Sequence, residues 1–138
     1  MSRKGTARPG GRRGLNLDLA ARAPAKVNLV LRVGPARPDG YHDIHSLLVP
    51  LDLADRLRIR VWPDRPGPVN CRVPARPELD GPSNLAFRAA AAFRSRFGVQ
   101  GRVDIVIEKR IPVTAGLGGG SSDAGAVGQL ESKLKAEG

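Results

Sequence analysis

The sequence predicts a domain that mixes strands and helices, and three observations carry that expectation. Apolar residues alternate at a period of two in three separate stretches, Val27 to Val33, Leu57 to Val61 and Val103 to Ile107. Between them, Leu85 to Phe97 repeats its apolar residues every four positions, the spacing of a helix. The last strand then leads through a glycine-rich run, Gly116 to Gly120, into an Ala- and Leu-containing stretch that suits a helix. With 138 residues, the chain makes one domain or part of a larger one. About two thirds of the unfolded surface of such a chain leaves water on folding, so it needs no covalent staples.

Taken in order, the chain opens on a basic arm. Residues 1–22 hold Arg3, Lys4, Arg8, Arg12, Arg13 and Arg22 against Asp18, a net +5 that is half of the total of +10. Residues 1–18 have no apolar period and read as a disordered, solvated tail. A nucleic-acid arm or an organelle transit peptide are the competing readings, the latter weakened by the shortage of Ser.

In the first strand Val27, Leu29, Leu31 and Val33 alternate with Lys26, Asn28, Val30 and Arg32, which predicts one buried face and places Lys26 and Asn28 together on the other. The turn signal Gly34 to Gly40 separates it from a second strand, His42 to Leu53. In the third, Leu57, Ile59 and Val61 face inward and Arg56, Arg58 and Arg60 face solvent. Residues 63–82 carry six prolines and read as a long loop. Ser83 or Asn84 caps the helix over Leu85–Phe97, and Gly98 stops it. Val103, Ile105 and Ile107 are the inward residues of the last strand.

Composition narrows the function. A single cysteine, Cys71, excludes an intramolecular disulfide framework and any multi-cysteine zinc site, and places the protein in a reducing compartment, the cytoplasm. No apolar run reaches the roughly 20 residues that span a bilayer, so no membrane association is expected. The aromatics are limited to Tyr41, Trp62, Phe87, Phe93 and Phe97, too few for a base-stacking platform, and nucleic acid is not an expected partner.

The chemistry lies in the segment Pro112 to Asp123. A strand, a glycine-rich loop and a helix start form a phosphate cradle, because glycines let backbone N–H groups converge on an anion and the helix N-terminus adds unpaired donors. Two familiar versions of that cradle fail. Gly120 is followed by Ser121 with no lysine, so there is no P-loop, and counting six from Gly116 or Gly118 reaches Ser121 or Asp123 where a dinucleotide fingerprint needs glycine.

Three blocks together carry a resemblance. Ala23-Pro24-Ala25-Lys26-Val27-Asn28-Leu29, Arg37-Pro38-Asp39-Gly40-Tyr41-His42, and Pro112 to Asp123 with its Gly-Leu-Gly-Gly-Gly-Ser-Ser core are similar, in order and spacing, to the N-terminal half of the GHMP kinases. The resemblance runs from about Leu19 to Ala126. It implies an α+β fold, a GHMP kinase N-terminal domain like domain 2 of ribosomal protein S5, over residues 19–126. It also implies an ATP- and Mg2+-dependent kinase that phosphorylates the 2-hydroxyl of the methylerythritol moiety of a cytidine diphosphate derivative, in the non-mevalonate isoprenoid pathway.

By the same resemblance Lys26 is the catalytic lysine. Pro112, Val113, Thr114, Ala115, Gly116, Leu117, Gly118, Gly119, Gly120, Ser121 and Ser122 form the ATP loop, with Lys109 and Asn84 near the nucleotide and Ser121 or Ser122 available to Mg2+. Tyr41 and His42 hold the cytidine end, and Asn28 touches the alcohol. The family is about twice as long and places its general-base aspartate in a Gly-x-Asp-Val-Pro-like segment that this sequence does not contain. Asp123 does not match that position, and residues 127–138 read as an atypical tail. The expectation is therefore a chain truncated near residue 126, lacking the C-terminal domain and inactive by itself. The alternatives are a non-catalytic nucleotide-binding remnant and a basic RNA-binding domain of S5-like fold.

Overall fold

The computed structural model describes residues 17–113, 116–129 and 132–133. The basic arm through residue 16, Thr114, Ala115 and much of the tail lie outside the described residues. Four strands form one sheet: β1 (Leu17–Ala36), β2 (His42–Pro66), β3 (Val69–Arg72) and β4 (Gly101–Glu108). Their order is β1-β2-β4-β3, with β1 and β4 antiparallel to β2 and β3 parallel to β4. The parallel pair requires a crossover, supplied by a short 3-10 turn (Pro77–Leu79) and helix α1 (Leu85–Phe97). A second helix, α2 (Gly119–Val127), follows the glycine loop and packs against α1.

The core lies between one sheet face and these helices. Ile59, Val61, Val103 and Ile107 are fully buried on β2 and β4, as the alternation requires. Burying a side chain of this size stabilises the fold by roughly 1.5–3 kcal/mol. On the opposite face Arg58 donates to both oxygens of Asp18 at 2.9 and 2.7 Å, with Arg60 Nε 3.5 Å from the same carboxylate. Helix α1 begins and ends where expected: the Asn84 carboxamide oxygen accepts from Ala86 N at 2.9 Å, and Gly98 closes the helix at φ 63°. Its buried stripe is Ala86, Ala90 and Phe93, while Leu85 and Phe97 at the ends of the expected spacing are 40% and 42% exposed. Alanines on the inner face let the helix approach closely.

Four readings are corrected. Leu17 and Asp18 belong to β1, since Leu17 is buried and Asp18 holds Arg58, so the expected arm ends before them. The second and third expected strands are one strand, β2, because the segment between them stays in the ladder with β1. The proline-rich segment 63–82 is no plain loop: its Val69-Asn70-Cys71-Arg72 run pairs with Val103–Val106 and buries Cys71, a tertiary pairing that no local pattern announces.

The fourth concerns the outer half of the β1–β2 hairpin. The residues expected to be buried are not covered: Leu29, Leu31 and Val33, and on the paired strand Ile44, Leu47 and Leu48, are each at least 55% exposed. Strands of this length project beyond the helices, so alternation alone did not guarantee a partner layer.

The β2–β4 ladder is tightest at Gly101, where an added Cβ would stand 2.4 Å from the Trp62 carbonyl oxygen and 2.7 Å from Pro63 Cα. Both are backbone atoms. Gly101→Ala should therefore destabilise the fold by about 2 kcal/mol or more in urea denaturation; parent-like stability would show that this ladder end is free to move.

Candidate active site

The glycine loop and the start of α2 border a cavity of about 360 Å³. Leu79, Ser83, Asn84, Leu85, Lys109, Pro112, Val113, Gly116 to Ser121 and Asp123 line it. Of the expected nucleotide loop, Pro112, Val113, Gly116, Leu117, Gly118, Gly119, Gly120 and Ser121 are at the cavity, Ser122 is one residue further into α2, and Thr114 and Ala115 lie outside the described residues. Gly116 and Gly118 take φ of 70° and 69°, which a residue with a Cβ adopts only with strain. The first α-helical bond of α2 runs from Ser122 N to the Gly118 carbonyl at 2.9 Å, so the N–H groups of Gly119, Gly120 and Ser121 precede the ladder. Such a helix start, with unpaired donors and a partial positive charge, suits an anion.

Lys26 is brought to this loop by a break in the β1–β2 ladder. The register jumps between Pro24 and Lys26, and Lys26 then lies opposite Pro50. Neither proline has an N–H to give. At this irregularity the Lys26 N–H leaves the hairpin and donates to the Leu117 carbonyl at 3.0 Å. The lysine stem lies across Gly118: an added Cβ there would be 2.7 Å from Lys26 Cε. The catalytic candidate and the phosphate-loop candidate, 92 positions apart in the chain, are thus in van der Waals contact.

Beneath the loop lies a cluster that the sequence did not reveal. Asp55, fully buried on β2, accepts through one oxygen from Arg110 N at 2.6 Å and Ile111 N at 2.9 Å. Its other oxygen accepts from Lys109 Nζ at 2.6 Å, and the same ammonium donates to Asp123 at 3.0 Å. Lys109 lines the cavity, and its charge is met by two carboxylates. An added Cβ on Gly119 would lie 3.2 Å from Lys109 Nζ and 3.1 Å from Ile111 Cγ2. The second Asp123 oxygen is buried with no hydrogen-bond partner.

These surroundings separate the two carboxyls. Burial works to raise the Asp55 pKa, but donation from Ile111 N, Lys109 and Arg110 N outweighs it and holds the group below its ordinary value. Burial pushes Asp123 up to about 6, with only partial relief from Lys109 and a further push from the Asp55 charge. Burial also works against the Lys109 charge, yet its two carboxylates hold its pKa above the ordinary value. Asp55 has no motif of its own in the sequence, where an acid between Ala54 and Arg56 reads as a solvated strand residue; only its burial distinguishes it.

The remaining candidates have defined places. Asn84 lines the cavity while capping α1, and its amide nitrogen donates to the Leu79 carbonyl at 2.9 Å. Tyr41 and His42 follow the tight turn at the outer end of the hairpin, where Gly40 takes φ 82° and the Asp39 carboxylate accepts from Tyr41 N at 3.0 Å. Neither is among the residues lining the cavity, and Tyr41 is 73% exposed. His42 Nδ1 lies 2.8 Å from the Gly34 carbonyl oxygen. A carbonyl only accepts, so in the neutral ring Nδ1 carries the proton and Nε2 is left as an acceptor. Asn28, between Lys26 and the hairpin tip, accepts from Ser46 Oγ at 3.3 Å. Cys71 is not a nucleophile candidate: burial, with the charges of Asp80 and Asp123, pushes its thiol up to about 11. Among the described residues no helix is long and apolar enough to cross a membrane.

Residues 84–137 match the family described as the GHMP kinases N terminal domain. The fold is shared with the mevalonate kinase of Methanococcus jannaschii, at a TM-score of 0.57 and 16% identity over 92% of this chain and 42% of that one. Residues 84–137 are thus similar to a GHMP kinase N-terminal domain.

Within that class its relatives are the 4-diphosphocytidyl-2-C-methyl-D-erythritol kinases. It is 72% identical over 111 residues to the one from Anaeromyxobacter sp. (strain K), covering 80% of this chain and 35% of the relative. It is 47% identical over 110 residues to that of Geobacter metallireducens, covering 80% and 38%. A crystal structure of a 4-(cytidine 5'-diphospho)-2C-methyl-D-erythritol kinase superposes with a TM-score of 0.66 at 46% identity, over 84% of this chain and 40% of that one. The chain thus spans little more than a third of the length of these relatives.

Asp123 gives a direct test of the cluster. The native carboxyl keeps its proton up to about pH 6 and the ordinary value is 3.8, so the folded state binds more protons between these values and loses stability as pH rises through them. Asp123→Asn removes that titration. Its stability relative to the parent, from urea denaturation, should rise by on the order of 2 kcal/mol between pH 4 and pH 7.5. A difference independent of pH would mean that Asp123 is solvated.

Proposed function

We propose that this chain is the nucleotide-binding N-terminal part of a kinase that transfers the γ-phosphate of ATP to the 2-hydroxyl of 4-diphosphocytidyl-2-C-methyl-D-erythritol, in the cytoplasm, within the non-mevalonate isoprenoid pathway. The observation that carries the reading is the contact of the Lys26 stem with Gly118, on a chain so similar to the N-terminal third of such kinases.

Phosphoryl transfer needs positioning and charge neutralisation more than covalent chemistry from the protein. The cradle supports ATP. Gly118 and Gly119 lack the Cβ that would press on Lys26, Lys109 and Ile111, so the loop packs close on those residues, and the N–H groups at the start of α2 supply donors for phosphate oxygens. Asn84, Leu85 and Val113 line the rest of the cavity and surround the nucleoside. Lys26, tied from its strand to the glycine loop by its own N–H, orients the acceptor hydroxyl and meets the charge on the transferring group. Ser121 or Ser122 would hold Mg2+, which would supply neutralisation of phosphate charge. Among the described residues no group of three or more His, Cys, Asp or Glu forms a separate cation site.

The outer hairpin serves the other end of the substrate. The exposed Tyr41 ring offers a face for the cytosine to stack on, and His42 Nε2, left as an acceptor, suits the exocyclic amino group of cytosine. Asn28 lies between the two ends and contacts the methylerythritol hydroxyls.

A chimera of this chain with the C-terminal part of the Anaeromyxobacter relative should phosphorylate 4-diphosphocytidyl-2-C-methyl-D-erythritol with ATP. Lys26→Ala should lower its kcat/KM by about 100-fold or more. A folded chimera that consumes ATP on another alcohol, or on none, would overturn the assignment.

A further inference from the structure

Asp55 lines no part of the cavity, yet it joins three elements that build it. From β2 it accepts the N–H groups of Arg110 and Ile111, where β4 turns into the glycine loop. Through Lys109 it reaches Asp123 on α2. Lys109 Nζ and Ile111, the two groups Asp55 holds most directly, are also those that an added Cβ on Gly119 would strike. The first residue of α2 therefore rests on atoms whose positions Asp55 fixes.

On the other side of the loop Lys26 packs on Gly118 from β1, and Ala23 of β1 pairs with Asp55 across the sheet. The break in the hairpin ladder falls between the two, so sheet pairing past Ala54 does not transmit the position of Asp55 to Lys26. The connection runs through the loop.

We infer that Asp55 is the positioning residue of the phosphate cradle: by holding Arg110 N, Ile111 N and Lys109 it sets where the free N–H groups of α2 stand relative to Lys26. The inference rests on the nucleotide-binding reading above. It gives Lys109 a different task from a free phosphate cation, since its charge is spent on Asp55 and Asp123 and it acts as the link between them. The positive potential of the cradle then comes from the helix end and Lys26.

Two measurements on the chain itself test this: backbone amide spectra without ligand, read at Gly119, Gly120 and Ser121, and titration with ATP. Asp55→Ala should shift those three amides and weaken ATP binding by about tenfold or more, the scale of losing buried hydrogen bonds to a charged acceptor. Asp55→Asn keeps a carbonyl oxygen for the two N–H groups but gives up the charge on Lys109. It should recover part of the loss and bind ATP about threefold more weakly than the parent. Val103→Ala, a core cavity remote from the loop, should lower the unfolding midpoint while leaving the three amides and ATP affinity unchanged.

Parent-like amides and affinity in folded Asp55→Ala would overturn the inference, as would the same losses in Val103→Ala. If Asp55→Ala does not fold, parent-like values in Asp55→Asn overturn it equally. Absence of ATP binding by the parent would instead sink the nucleotide reading, while the ligand-free amide shifts would still decide the role of Asp55.

Discussion

The buried ion cluster of Asp55, Lys109 and Asp123 is the constraint on which the rest of the site depends. Two carboxylates and one ammonium are costly to remove from water, and their mutual attraction offsets that cost only with good geometry and further donors. The structure meets the condition for Asp55, whose oxygens take three donors, and leaves Asp123 with one oxygen unpartnered. That asymmetry separates the two pKa values and makes Asp55 the fixed member. A cluster built this way ties a strand, a strand exit and a helix to one point, which hydrophobic packing alone does not do as specifically.

The second constraint is the interruption of the β1–β2 hairpin at Pro24 and Pro50. Up to that point the hairpin belongs to the core, with Ala21, Ala23, Leu57 and Ile59 under the helices. At the break the ladder changes register and Lys26 turns its N–H to the glycine loop. Irregularities of this kind cluster beside functional sites because they aim a side chain that regular pairing would point elsewhere. Past the break the strands leave the core and carry Asn28, Tyr41 and His42 outward, together with an apolar surface of Leu29, Leu31, Val33, Ile44, Leu47 and Leu48. The proposed nucleotide cradle thus lies at one end of the hairpin, and the residues proposed to hold the cytidine end lie at the other.

Much of this was legible in the residues. Helix α1 was bounded correctly by Asn84 and Gly98, because a side-chain cap and a left-handed glycine are local signals. The inward faces of Leu57, Ile59, Val61, Val103, Ile105 and Ile107 followed from alternation, since a period of two admits one burial pattern where a covering layer exists. The glycine loop and its helix followed from strand, glycine and helix signals in sequence. Strand β3 was missed because its four residues are a strand only through pairing with β4. The same alternation that succeeded at Leu57 failed at Leu29 to Val33, where no layer covers it.

The sequence by itself determined the bounds of α1, the inward faces of β2 and β4 under the helices, the glycine loop ahead of α2, and a kinship carried by three short blocks. Those are properties of neighbours in the chain: caps, glycine freedom, alternation, motif spacing. Tertiary structure alone decided that Lys26 meets Gly118, that Lys109 is held between two carboxylates, and that Asp55 governs both the loop and the helix. Residues 26, 55, 109 and 123 come together only after the sheet has formed and α2 has packed on it, and the burial that gives Asp55 and Asp123 their opposite pKa shifts does not exist before then.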